Sequence, residues 1–130
     1  MVIDSSACIA ILFDEPERLR FVELVGVAEL WVMSAINYTE TRIVAARSKN
    51  IVMERGLPQI IDDLAVTIQS ATPHLAERAA LAYFRFGKGN HPARLNLGDC
   101  FDYALAKSRG EPLLVKGGDF ALTDVEIAHG

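Results

Sequence analysis

The sequence predicts an α/β domain with a short, mainly parallel sheet covered by helices on both faces. Three observations carry this. Brief apolar runs recur at Met1–Ile3, Leu30–Met33, Val66–Ile68 and Leu113–Val115. Segments with helical spacing separate them, and strands joined by helices run parallel and need cover on both sides. Acidic residues close the first and last runs, Asp4 directly and Asp119 after a turn. In parallel sheets, ligand sites gather at those carboxyl ends.

The elements follow in order. Met1 to Asp4 reads as a short buried strand, then Ser6 to Phe13 as a helix. Pro16 opens a second helix, Glu17 to about Val27, with Leu19, Val22 and Val25 inward. Leu30 to Met33 is the next strand, and Ser34 can cap a helix from about Ala35 to Ser48. Ile51 to Leu64 supports a helix interrupted by Gly56 and Pro58, and Val66 to Ile68 a short strand. Pro73 opens a helix to Phe86 with Leu75, Ala79, Ala82 and Phe86 on one side, before a Gly-, Pro- and basic-rich loop, Gly87 to Arg94. Asn96 to Arg109 is the last long helix, stopped by Gly110. Leu113 to Val115 is a strand, Gly117-Gly118-Asp119 a turn, and Val125 to Ala128 a final edge strand.

At 130 residues and 51% hydrophobic, the chain is expected to form a single domain, 1–130, around one core. Its apolar runs fall far short of the ~20 residues a membrane helix needs, and Asp4 interrupts any secretory leader, so a cytoplasmic protein is predicted. Cys8 and Cys100 sit in apolar helical patterns without His or Cys at ligand spacing, and read as reduced core thiols. Thirteen Lys and Arg against 17 Asp and Glu give a net charge of −4, which excludes broad attraction to nucleic-acid phosphates and makes any such contact local.

The acids carry the chemistry. Glu40 shares a helix face with Ile36, Ile43 and Val44. A carboxylate on an apolar stripe needs a cation or a guanidinium, since burial alone costs several kcal/mol. Arg42, Arg47 and Arg78 are the candidate ion-pair partners. Asp4 is either an N-cap or a ligand, with Ser5 and Ser6 able to orient it. Asp99, three residues after Asn96, suits the first turn of a helix. Asp102, one turn later on the same face, is either its companion or a solvated surface acid. Asp119 is a turn former or a fourth ligand.

Two carboxylates about 4 Å apart repel by roughly 4 kcal/mol at an effective dielectric near 20, so a fold that gathers several calls for a cation. Carboxylates without His or Cys suit Mg2+ or Mn2+ rather than zinc. His74, His91 and His129 are isolated and read as surface or loop residues.

Four segments together resemble a known family: Met1-Val2-Ile3-Asp4-Ser5-Ser6-Ala7, Ser34 through Thr39-Glu40-Thr41, Leu95-Asn96-Leu97-Gly98-Asp99-Cys100-Phe101 with Tyr103-Ala104-Leu105-Ala106-Lys107, and Leu113-Leu114-Val115-Lys116-Gly117-Gly118-Asp119-Phe120. In this order and at these separations the chain resembles the PIN-domain ribonuclease toxins of bacterial toxin–antitoxin pairs, the VapC group, over nearly its full length. The resemblance implies a three-layer α/β/α fold that binds Mg2+ or Mn2+ and cleaves RNA, with a cognate VapB antitoxin blocking the site. Asp4, Glu40 and Asp99 match the three acids the family shares, and Asp119 the more variable fourth. Ser6 matches a small hydroxyl residue with a supporting role, through hydrogen bonds to Asp4 or to a metal-bound water. The loop carrying Lys88, His91 and Arg94 is the candidate for RNA phosphates. Helices Glu17–Val27 and Ile51–Leu64, apolar on two sides, suggest cover by a partner or a second copy, as the resemblance also implies.

Other classes remain. A haloacid-dehalogenase-like phosphohydrolase would use Asp4 with Lys116 and Asp124, but that pattern wants an acid where Ser6 stands. A receiver-like binding module lacks the adjacent acids expected after the first strand. A degenerate, inactive PIN domain conflicts with retention of the main acids.

Overall fold

The computed structural model describes residues 1–27 and 30–128. Along the chain run β1 (Val2–Ile3), α1 (Ser5–Leu12), α2 (Arg18–Val27), β2 (Val32–Ser34), α3 (Ala35–Arg47), α4 (Ile51–Asp63), β3 (Thr67–Gln69), α5 (Pro73–Phe86), α6 (Leu97–Arg109), β4 (Leu113–Leu114) and a 3₁₀ turn, Asp119–Leu122. The strands form one sheet in the order β3-β2-β1-β4, every pair parallel, with Val2 opposite both Val32 and Leu113.

Successive residues of a strand face opposite sides, and here β1, β2 and β4 each feed two cores. Val2, Val32 and Leu113 pack with α5 and α6, around Leu75, Phe86, Leu105 and Phe120. Ile3, Met33 and Leu114 pack with α1, α2 and α4, around Cys8, Phe21, Trp31 and Leu57. The architecture is the expected three-layer α/β/α arrangement. Chain order moves from β1 to β2 and β3 on one side and returns to place β4 on the other. The crevice above β1 is therefore the switch point at which parallel sheets bind ligands.

Local chemistry fixes the helix starts. Ser34 Oγ accepts from Asn37 N at 3.0 Å, Asn50 Oδ1 from Val52 N at 3.0 Å, and Thr72 Oγ1 from Leu75 N at 3.1 Å. Pro73 stands just behind that last cap, and Gly110, at φ 62°, ends α6 in the left-handed region. Cys8 and Cys100 are buried free thiols. Among the described residues no helix is long and apolar enough to cross a membrane.

Three expectations are corrected. The α2 face buries Phe21 and Leu24, while Leu19 is 79% exposed and Val22 is also exposed; the large ring docks beside Trp31 and sets the helix's rotation. The Val25 side chain lies outside the described residues, as does His129. The α4 helix runs unbroken through Pro58. Burial of Leu57 and Ile61 offsets the lost hydrogen bond, and Gly56 lets α1 come close, since a Cβ there would lie 2.8 Å from Leu12 Cδ1. Residues 125–128 form no strand, only a parallel bridge of Ile127 to Leu113.

Leu57 is 1% exposed at the centre of the α1–α4 side. Leu57→Ala is expected to lower unfolding free energy by about 2–5 kcal/mol in urea titration, whereas Leu19→Ala is expected to fall within about 0.5 kcal/mol of wild type.

Candidate metal centre

Asp4 leaves β1 at the switch point with its backbone N–H on Leu114 O at 2.9 Å. Its side chain caps α1: Oδ2 accepts from Ser6 N at 3.0 Å and also from the Ser6 hydroxyl. Ser6 Oγ in turn accepts from Lys116 N at 2.9 Å, which ties Asp4 to the segment after β4. The N-cap reading of Asp4 therefore holds, and it engages Oδ2. Its Oδ1 accepts from Asn37 Nδ2 at 3.1 Å. Burial pushes its pKa up, but hydrogen bonds from Asp102, Ser6 and Asn37 outweigh this and hold it below the usual carboxylate value.

Asp102 is not a solvated surface acid: it is 0% exposed. Its position on α6 faces inward, where it meets Asp4 and Asn37 rather than water. The Asn37 amide donates to Asp102 Oδ2 as well as to Asp4. Burial, then the charge of Asp4, drives the Asp102 pKa well above the ordinary range. Asn37 escapes a reading by motif, yet its place in the α3 stripe Asn37, Thr41, Ala45, at spacings of four, marks a polar residue on a buried face.

Asp99 forms a capping box with Asn96: its N–H donates to Asn96 Oδ1 at 3.0 Å and its Oδ2 accepts from Asn96 N at 3.1 Å. Burial lifts its pKa to about 6, the cap bond opposes this, and the charges of Asp4, Asp119 and Glu40 add to the rise. Ligand atoms of Asp4, Asp99 and Asp102 all lie within 4.8 Å of one another.

Glu40 is not on a buried apolar stripe. Ile43 is 51% and Val44 52% exposed, because α3 turns its small and polar residues toward the sheet. Glu40 instead reaches the rim of a recess of about 210 Å³ lined by Asp4, Ser6, Asn37, Thr41 and Asp99. Gly98 makes this possible, since a Cβ there would stand 2.2 Å from Glu40 Oε2. Partial burial and then the Asp4 charge raise the Glu40 pKa. No ion pair to Arg42, Arg47 or Arg78 occurs among the described residues, and none joins any cation to Asp4, Asp99 or Asp102.

The remaining candidates lie further out. Asp119 is exposed at the start of the 3₁₀ turn, close enough for its charge to act on Asp99 but outside the three-carboxylate cluster. Lys88 and Arg94 are exposed on the 87–94 loop, outside the recess lining. Lys116 Nζ pairs with Glu15 and, at 3.5 Å, with Glu17, and Asp124 is held by Tyr103, Lys107 and Arg85. Neither residue serves Asp4 as the dehalogenase-like reading requires. His91 accepts from Ala93 N and packs edge-on against Phe86, and His74 accepts from Arg78, as loop and surface residues do.

The PIN domain family model matches residues 1–126. The chain belongs to the PIN-domain family. Within it the relatives are VapC proteins. Ribonuclease VapC of Mycolicibacterium smegmatis is 44% identical over 129 residues, covering 99% of this chain and 100% of that protein. Ribonuclease VapC28 of Mycobacterium tuberculosis is 41% identical over 129 residues, covering 98% and 97%. Among solved structures, M. tuberculosis VapC20, a toxin that cleaves the sarcin–ricin loop, superposes with a TM-score of 0.79 at 16% identity over 99% of this chain and 98% of that one. The DNA-bound VapBC of Salmonella typhimurium gives a TM-score of 0.70 at 19% identity, covering 98% and 95%. This PIN domain thus shares its three-layer fold with them.

The pKa directions fix a sign for stability. Asp99, Asp102 and Glu40 titrate higher folded than unfolded, so between pH 4 and their folded pKa values the native state holds more protons and loses stability as pH rises. Asp4 works oppositely, its contribution being lost as pH falls below the usual carboxylate value. Metal-free protein is therefore expected to melt at higher temperature at pH 5 than at pH 8. Asp99→Asn should flatten the decline between about pH 4 and 6 in differential scanning fluorimetry with EDTA.

Proposed function

We propose that the chain is a metal-dependent endoribonuclease, the toxin of a type II toxin–antitoxin pair, which hydrolyses RNA phosphodiester bonds with Mg2+ or Mn2+. The observation that carries this is the convergence of Asp4, Asp99 and Asp102 without a paired lysine or arginine among the described residues. Coulomb repulsion in such a cluster is relieved by a divalent ion. The donor set fits: oxygen only, with Asp4 and Asp99 lining the recess and Asp102 fully buried, as hard cations require.

Asp4 and Asp99 would hold the ion, with Glu40 reaching it across Gly98 and Asp119 adding charge from outside. Ser6 and Asn37 fix the Asp4 carboxylate. When bound, such an ion acidifies a water and offsets charge on phosphoryl oxygens. The recess then orients the RNA backbone, and Lys88 and Arg94 on the neighbouring loop supply local phosphate contacts that the net charge of −4 does not. No histidine faces the cluster among the described residues, so Glu40, its pKa raised, is the group placed to take a proton at the rim.

Relatives named ribonuclease at over 40% identity support the activity, and VapBC assemblies among the structural neighbours support a VapB-type antitoxin. Exposed Leu19, Val22, Ile51 and Val52 on α2 and α4 suit such a partner. Leu81, Phe84 and Leu97, exposed by 55%, 70% and 65%, suit a second copy in a homodimer. A single domain in the cytoplasm fits these roles.

Purified wild-type protein is expected to cleave RNA with Mn2+ and to stop with EDTA. Asp4→Asn or Asp99→Asn should lower the rate on the order of a hundredfold or more, with a metal-free melting temperature no lower than wild type for Asp99→Asn. Wild-type rates in either variant, or cleavage indifferent to EDTA, would count against the proposal.

A further inference from the structure

We propose that Asp102 is itself a direct ligand, an inner carboxylate that joins Asp4 and Asp99 in holding the ion. The inference rests on the metal-dependent reading above and changes which residues hold the ion.

The argument turns on one atom. Asp102 is 0% exposed, and its two oxygens have different fates. Oδ2 accepts from Asn37. Oδ1 is fully buried and has no hydrogen-bond partner. A role in positioning Asn37 accounts for Oδ2 and leaves Oδ1 without a donor. Buried polar groups are almost always satisfied, and an orphan asks for an absent partner.

Packing offers no reason for a carboxylate here. The flanking residues of α6, Cys100, Phe101, Tyr103, Ala104, Leu105 and Ala106, are all buried, and an alanine or serine would fill the position without stranding an oxygen. The carboxylate instead contributes an oxygen to the group within 4.8 Å of both Asp4 and Asp99. No lysine, arginine or histidine pairs with it among the described residues. A hard divalent cation is the partner whose chemistry matches a buried, oxygen-only, uncompensated triad. Glu40 is exposed at the rim and Asp119 is exposed beyond it, so neither replaces Asp102 as the inward third donor.

The test uses Mn2+ and the full chain. Mn2+ affinity is measured by calorimetry and by electron paramagnetic resonance for wild type, Asp102→Asn, Glu40→Gln and Asp4→Asn, and crystals soaked in Mn2+ are read by anomalous scattering. Asp102→Asn is expected to weaken Mn2+ binding at least a hundredfold, more than Glu40→Gln, and the wild-type anomalous peak to lie about 2.2 Å from an Asp102 oxygen. Affinity for Asp102→Asn within twofold of wild type, or a peak more than about 3.5 Å from Asp102, overturns the proposal while leaving the ribonuclease reading intact. Should Asp102→Asn fail to fold, the anomalous peak in wild-type crystals decides alone. Wild-type protein that neither binds Mn2+ nor cleaves RNA overturns both.

Discussion

The accumulation of carboxylates at one end of a very short parallel sheet is the constraint on which the rest of the site depends. Three helices begin there: α1 behind Asp4, α3 behind Ser34, and α6 behind Asn96. Their amino-terminal dipoles favour anions, and neutral donors from Ser6 and Asn37 add local compensation. Dipoles and amides stabilise individual oxygens but carry no net charge, so the cluster keeps a deficit of cations. That deficit separates this arrangement from an ordinary buried ion-pair network.

The sheet's brevity is part of the same design. Strands of two or three residues seed two cores because β1, β2 and β4 each place one buried apolar residue on either face, and they end before the backbone has travelled far. Asp4 therefore emerges with its N–H still hydrogen bonded to β4 and its side chain already at a helix start. Rigid placement of the carboxylate comes from the ladder on one side and the cap on the other. The link from Lys116 N through the Ser6 hydroxyl to Asp4 joins the two strand ends across the switch point.

Much of this was legible in the chain. Alternating apolar runs and helical segments predict the layers, and Asp4 and Asp99 are recognisable because each follows a clear strand end or cap signal. What escaped was rotation. Helix α2 offers Leu19 and Val22 as well as Phe21 and Leu24, and periodicity alone does not say which stripe turns inward. The same uncertainty leaves Asp102 open between a companion of Asp99 and a solvated acid, since helical spacing alone does not say which side of α6 turns inward. Of the two grounds for Glu40, the motif match and the apolar stripe, the structure removes the second: Ile43 and Val44 face outward, and Glu40 reaches the recess beside Gly98 on a helix nearly sixty positions away. Asn37 belongs to no motif, and only its contact with two carboxylates reveals its role.

The capping box at the start of α6 carries a stereochemical consequence. Asp99 Oδ2 accepts the Asn96 N–H, so this oxygen holds the first turn of α6 while the other carries no capping bond. Any group that drew Asp99 Oδ2 away from that N–H would compete with the helix start, and Gly98 lies within the same first turn.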